Sequence, residues 1–239
     1  DYRARRPVMT YDQDHWESYD DPELVVRLVH DMAGSPFLLF TGPEPDRLWE
    51  GFTTAVRSLV EQLGVTLTVG FHGIPMGVPH TRPVGLTAHA TRSELITKSS
   101  WFGKVEVPGS AAALLELRLG EAGHDALGFA VHVPHYLAQA GHPSAAVVAL
   151  DAVTDATGLV IPSDALREAA TRTEAEIAEQ VAGSDEVEKV VRALEQQYDA
   201  FAGAVDRESL LAEERDMPTA DEIGAQFERF LAEQQDGES

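Results

Sequence analysis

Two stretches of this chain carry side chains whose types and spacing could do chemistry. The first is Gly70 to Pro83, G-F-H-G-I-P-M-G-V-P-H-T-R-P, which holds His72, His80 and Arg82. The second is Gly128 to Leu137, which holds His132, His135 and Tyr136. Imidazoles exchange protons near neutral pH, and a guanidinium holds anions. Proline fixes φ and glycine admits φ > 0, so the first stretch is expected to be a shaped loop. If both stretches end strands of one sheet, His72, His80, Arg82, His135 and Tyr136 converge where open α/β folds bind ligands. Such a group would hold an anion or a small polar molecule. The same residues also fit a loop shaped for packing or a subunit contact, with Ile74, Met76 and Val78 as its contact residues.

Other chemistries find no support. His132-x-x-His135 is the closest histidine pair, but Pro134 breaks the strand between them, and only Asp125, at its far end, could add a carboxylate. These read as packing histidines, with no metal expected. The chain has no Cys, which excludes disulfides, thiol nucleophiles and thiolate metal sites. The nucleophile elbow Gly-x-Ser-x-Gly, the phosphate loop and the dinucleotide glycine pattern are all absent. Gly70, Gly73 and Gly77 have the wrong spacing for the last. Ser110 reads as a helix cap, and Glu116, Glu121 and Asp125 as solvated carboxylates. No catalytic residue and no cofactor is expected.

The elements that must position these groups follow from periodicity. Val8–Tyr11 suits a strand, with a hairpin through Asp12–Asp14. Asp21-Pro22-Glu23 looks like a helix start, and Leu24, Val25, Leu28, Val29 and Met32 form an apolar stripe behind it. Phe37–Thr41 reads as a buried strand. Leu48 to Leu63 gives a helical face, and Val65–Phe71 the next strand. A parallel strand–helix–strand unit is therefore expected. Val84–Ala90 and Ala126–Val133 read as strands, Ala111–Leu119 and Pro143–Thr157 as helices. The stretch from Thr91 to Lys104 is irregular, with a loop tip at Lys98-Ser99-Ser100. From Pro162 onward only helices are expected. The strongest amphipathic stripe is Val187, Val190, Val191, Leu194, Tyr198 and Phe201, and Thr219–Glu222 forms a capping box. The division is an α/β domain over 1–162 and a helical region over 163–239. The helical stripe suits either packing on that domain or contact with a partner, through Val187, Val191, Leu194, Tyr198 and Phe201.

The 239 residues suffice for a sizeable core. The formal charge is −22, with 21 acidic and 7 basic residues in 163–239 alone. Phosphate backbones and anionic membranes repel such a chain, so neither nucleic acid nor membrane is expected as a partner. No apolar run reaches the ~18 residues a membrane helix needs, no signal peptide is visible, and a cytoplasmic protein is expected.

Ile74-Pro75-Met76-Gly77-Val78-Pro79-His80-Thr81-Arg82-Pro83, Val107-Pro108-Gly109-Ser110 and Gly128 through Leu137 together resemble the proteasome assembly chaperone 2 family. The actinobacterial branch is the nearest fit, through Asp1-Tyr2-Arg3-Ala4-Arg5-Arg6-Pro7 and Glu195-x-x-Tyr198-Asp199. The resemblance implies a three-layer α/β/α domain with a mostly parallel sheet, similar in fold to nucleoside phosphorylases and related hydrolases, plus C-terminal helices. It implies self-association, with a trimer favoured, and proteasome subunits as partners. Family members begin with a strand and a Gly-rich turn upstream of Asp-Tyr-Arg, to which nothing in this sequence corresponds. The expected function is a non-enzymatic, self-associating binding protein, chaperone-like in proteasome or other complex assembly. The alternative is a phosphorylase- or hydrolase-like enzyme, or a nucleoside-type ligand binder, with its site at the sheet end.

Overall fold

The computed structural model describes residues 7–20, 22–96 and 104–211, with side chains through Gly203. The Asp1–Arg6 motif, the Lys98-Ser99-Ser100 loop tip and the Thr219–Glu222 capping box lie outside these residues.

The core is a three-stranded sheet of β5 (Thr68–Met76), β7 (Ala126–Pro134) and β6 (Leu86–Ala90), in the order β5-β7-β6. β5 runs parallel to β7 in register from Thr68↔Ala126 to Met76↔Pro134. The shorter β6 pairs antiparallel to β7. Most of the pairing is thus parallel, as the α/β reading requires. Two helices, α1 (Trp49–Gln62) and α2 (Ala111–Glu121), cover one face. Val60, Leu115 and Leu119 pack there with Ala126. Helix α3 (Pro143–Thr157) covers the other, where Ala145, Ala149 and Val153 meet Leu127, Phe129 and Val131. β7 is buried along nearly its whole length, and that explains its unbroken apolar pattern. The helices α4 (Asp164–Ala182) and α5 (Asp185–Leu211) follow, with α4 packed on α3.

The helix boundaries follow local rules. Ser110 Oγ accepts the Ala113 N–H and starts α2. Pro143 occupies the first turn of α3, and Gly158, at φ 72°, closes it in the left-handed region.

The amino-terminal third departs from expectation. Residues 25–30 form a strand, β3 (Val25–His30), not a helix. It pairs antiparallel with β4 (Pro36–Thr41) in a separate hairpin. Asp31 accepts the Ala33 and Ser35 N–H groups at 2.9 and 2.7 Å, and Gly34 takes φ 85°, so a tight turn outcompetes a helix stop. Three valines in six residues also favour extended backbone. β4 is largely exposed, and its partner is β3. The parallel partner of β5 is β7, so the strand–helix–strand unit spans β5–α2–β7 instead. A second hairpin pairs β1 (Met9–Asp12) with β2 (His15–Tyr19), as expected, with Tyr11 and Trp16 edge to face at 5.1 Å. The expected loop from Gly70 begins only after Met76, because β7 lines up with β5 through Met76. The strand expected from Val84 starts at Leu86.

Candidate functional site

β5 and β7 end side by side, so the loop after Met76 and the short 3-10 turn His135–Leu137 form one rim. Here His80 meets Tyr136. The His80 backbone N–H donates to Tyr136 Oη at 2.8 Å, and His80 Nδ1 lies 2.8 Å from the same oxygen. The hydroxyl satisfies both by accepting from the backbone and donating to Nδ1, which places the ring proton on Nε2. Burial lowers the His80 pKa, against an opposing pull from Glu195 and Glu174. Burial also raises that of Tyr136. His135 stands exposed beside Tyr136, ring centres 5.4 Å apart.

Arg82 turns away from this pair. Its Nε and Nη2 donate to Asp199 Oδ1 and Oδ2 at 2.8 and 2.6 Å, and its Nη1 to Glu195 Oε1 at 3.2 Å. Thr81 Oγ1 donates to the same Glu195 oxygen at 2.5 Å. The two-pronged bond to Arg82 holds the Asp199 carboxyl below its usual range, and Asp199 in turn raises the guanidinium. The rim is therefore strapped to α5. On the same side, Ser144 donates to Glu174 of α4 at 2.7 Å. His142, just before α3, has both ring nitrogens buried without a hydrogen-bond partner, and burial lowers its pKa.

The five residues expected at one site thus divide. His80, Tyr136 and His135 are neighbours, and Arg82 is committed to α5. His72 belongs to the α1–α2 face of the sheet, where its ring lies 6.4 Å from that of His89. His132 is 3% exposed on β7, with Nε2 2.8 Å from Thr87 Oγ1, while His135 lies exposed beyond the strand. No three His, Asp or Glu side chains among the described residues group as metal ligands. Of the expected contact residues, Ile74, Met76 and Val78 are partly exposed. Val187 and Phe201 are exposed, and Leu194 and Tyr198 partly so. Val191 is buried within the chain.

Sequence reasoning missed several pairings. Glu116 binds His89 at 2.8 Å, Asp125 grips Arg92 through two bonds of 2.7 Å, and Glu121 joins Glu50 on Arg118. These are paired carboxylates, not freely solvated ones. One signal was present: Arg82 and the Glu195/Asp199 pair sit in motifs of the same family set.

The sequence profile of the PAC2 family matches residues 1–181. A Mycobacterium tuberculosis protein of unknown function, Rv2714, is 50% identical, with a TM-score of 0.81 over 88% of this chain and 72% of that one. A Corynebacterium glutamicum protein of unknown function is 40% identical, with a TM-score of 0.77 over 84% and 75%. The M. tuberculosis proteasome-assembly chaperone homologue Rv2125 is 25% identical, with a TM-score of 0.71 over 80% and 82%. Nothing among the curated proteins matches the chain.

Proposed function

This chain belongs to the PAC2 family, and on that premise we propose that it is a non-enzymatic, self-associating binding protein that assists assembly of the proteasome or of another complex. One observation carries the reading. The rim's cation is consumed in structure, since Arg82 is spent on Glu195 and Asp199. Apolar side chains nearby and on the hairpins stay uncovered instead: Leu28 is 65% exposed, Trp16 63% and Val190 51%. Isolated two-stranded hairpins are marginal in water, so a cover for such surfaces adds stability. Likeness to a proteasome-assembly chaperone homologue points the same way. The contact surfaces in this reading are the rim loop, with Ile74, Met76 and Val78, the open flank of α5 and the uncovered faces of the two hairpins. The assembly is a trimer, the setting is the cytoplasm, and the partners are proteasome subunits. Among the described residues no helix is long and apolar enough to cross a membrane.

The test has two arms. Light scattering on the purified chain reads its mass, and three chains per particle are expected. Binding to purified proteasome α and β subunits, with core-particle assembly followed in a deletion strain, reads the partner. No association with either subunit, together with unchanged assembly, overturns the assembly role; a monomer at micromolar concentration overturns self-association.

A further inference from the structure

The rim and the α4–α5 arm meet around two imidazoles that the reading above does not use. His80 lies on the loop after β5 and His142 just before α3, both partly buried. Polar contacts close the arm over this end of the sheet: Ser144 to Glu174 of α4, Thr81 to Glu195 of α5, and Arg82 to Glu195 and Asp199. Ala170 and Ile177 of α4 and Val191 of α5 are buried in the same arrangement. The charged and titratable groups around the two rings are Arg82, His135 and Tyr136 from the rim, Glu174 from α4, and Glu195 and Asp199 from α5.

Neither ring is placed to carry a positive charge. His80 Nδ1 takes the hydroxyl proton of Tyr136, whose oxygen already accepts the His80 backbone N–H. A protonated Nδ1 would aim its own hydrogen at that oxygen and displace the hydroxyl proton. His142 buries both ring nitrogens without a hydrogen-bond partner among the described residues. Its neutral ring leaves one donor and one lone pair unmet, whereas the cation would bury two unmet donors and a charge. Glu174 favours charge on both rings and Glu195 on His80, but burial outweighs them, and His80 also disfavours charge on His142. Water reaching the rings removes these penalties, and each then binds a proton with its ordinary affinity.

We propose that the α4–α5 arm is an acid-released latch: it closes on the rim while His80 and His142 are neutral and lifts away when they carry protons. The open arm takes up protons first. Closure is therefore favoured in full above about pH 6.5 and loses ground as pH falls, by up to ~100-fold per pH unit for two protons. The two-pronged bond from Arg82 holds the Asp199 carboxyl below its usual range, so this pair keeps its charges under mild acid. It sets how firmly the arm closes and not the pH at which it opens. Opening bares Val191 and adds apolar surface to α5. The device rests on the rim geometry and stands whether or not the chain assembles with anything.

Amide hydrogen exchange of the full chain at pH 7 and pH 5.5, corrected for the chemical exchange rate at each pH, tests this. Protection in α4 and α5 is expected below that of β7 at both pH values, because the arm opens without the core. It should fall at least ~10-fold between the two. His80→Asn keeps an acceptor for the Tyr136 hydroxyl, and His142→Phe fills the ring's place; neither new side chain titrates. With both changes the arm's protection should become independent of pH. Arm protection equal to that of β7, a flat response in the native chain, or a fall that persists in the double variant overturns the proposal. Should the double variant not fold, His142→Phe alone decides: the logarithmic fall must shrink by about half, since one of two protons is gone.

Discussion

Arg82 and Asp199 lie 117 positions apart in sequence and meet in a two-pronged ion pair, Nε to Oδ1 at 2.8 Å and Nη2 to Oδ2 at 2.6 Å. With Glu195, this pair joins the rim loop to α5. Arg82→Ala is expected to speed amide exchange in residues 185–203 and to leave β5 and β7 as protected as before. The Arg82→Lys variant should recover little, because an ammonium cannot span both carboxylate oxygens. Hydrogen-exchange mass spectrometry reads both, and unchanged exchange in α5 would show the pair to be incidental.

Tyr136→Phe removes the one hydroxyl that serves both the backbone and the ring of His80. The half-buried His80 N–H then lacks its partner, at a cost of about 1–3 kcal/mol. Urea denaturation measures the loss. A change below ~0.5 kcal/mol would mean that water replaces the hydroxyl freely.

Stability should fall on mild acidification. Burial lowers the folded-state pKa of His142, His80 and His132 below the ordinary histidine value of 6.5. The unfolded chain therefore takes up protons first. Stability from these groups is full above about pH 6.5 and is lost as pH falls toward their folded values, by up to ~1.4 kcal/mol per pH unit for each. His89 has the opposite sign. Its bond to Glu116 raises its pKa, so its contribution is full below 6.5 and is lost as pH rises through the folded value. Denaturation midpoints at pH 5, 6, 7 and 8 should show a net decline below 6.5, with a shallower slope in His142→Phe. A flat profile in the native chain would refute this.

Gly85→Ala places a Cβ against the imidazole of His132, which is 3% exposed and cannot swing clear. Overpacking of this kind costs about 1–3 kcal/mol. Gly128→Ala presses on His89 instead, whose half-exposed ring can turn outward. Thermal unfolding should therefore rank Gly85→Ala as the more damaging change, and the reverse order would contradict the burial contrast.

Paired glutamates on the two hairpins test what covers them. Leu28→Glu with Trp16→Glu alters side chains that are 65% and 63% exposed, so the fold of one chain should persist. Sedimentation should then show smaller particles than the native chain. If particle size is unchanged, the hairpins are not the contact face.

The sequence by itself determined the elements whose signals are local. Helices α2 and α3 could be read because Ser110, Pro143 and Gly158 mark their ends. The buried strand β7 announced itself by an apolar run with no alternation. Motifs spread along the chain were enough to indicate the family. Local signals misled where two of them competed: residues 24–32 carry helical spacing, yet valine content and the Asp31 turn made a hairpin. Tertiary structure alone decided who meets whom. His72 and His80, eight positions apart, went to different places because strand alternation and the rim loop aimed one at the sheet face and the other at Tyr136. Arg82 found α5, and His89 found Glu116 across a crossover. Such pairings depend on where the chain returns in space, and side-chain charge and hydrogen-bonding capacity take effect only after packing has brought the partners within about 3 Å.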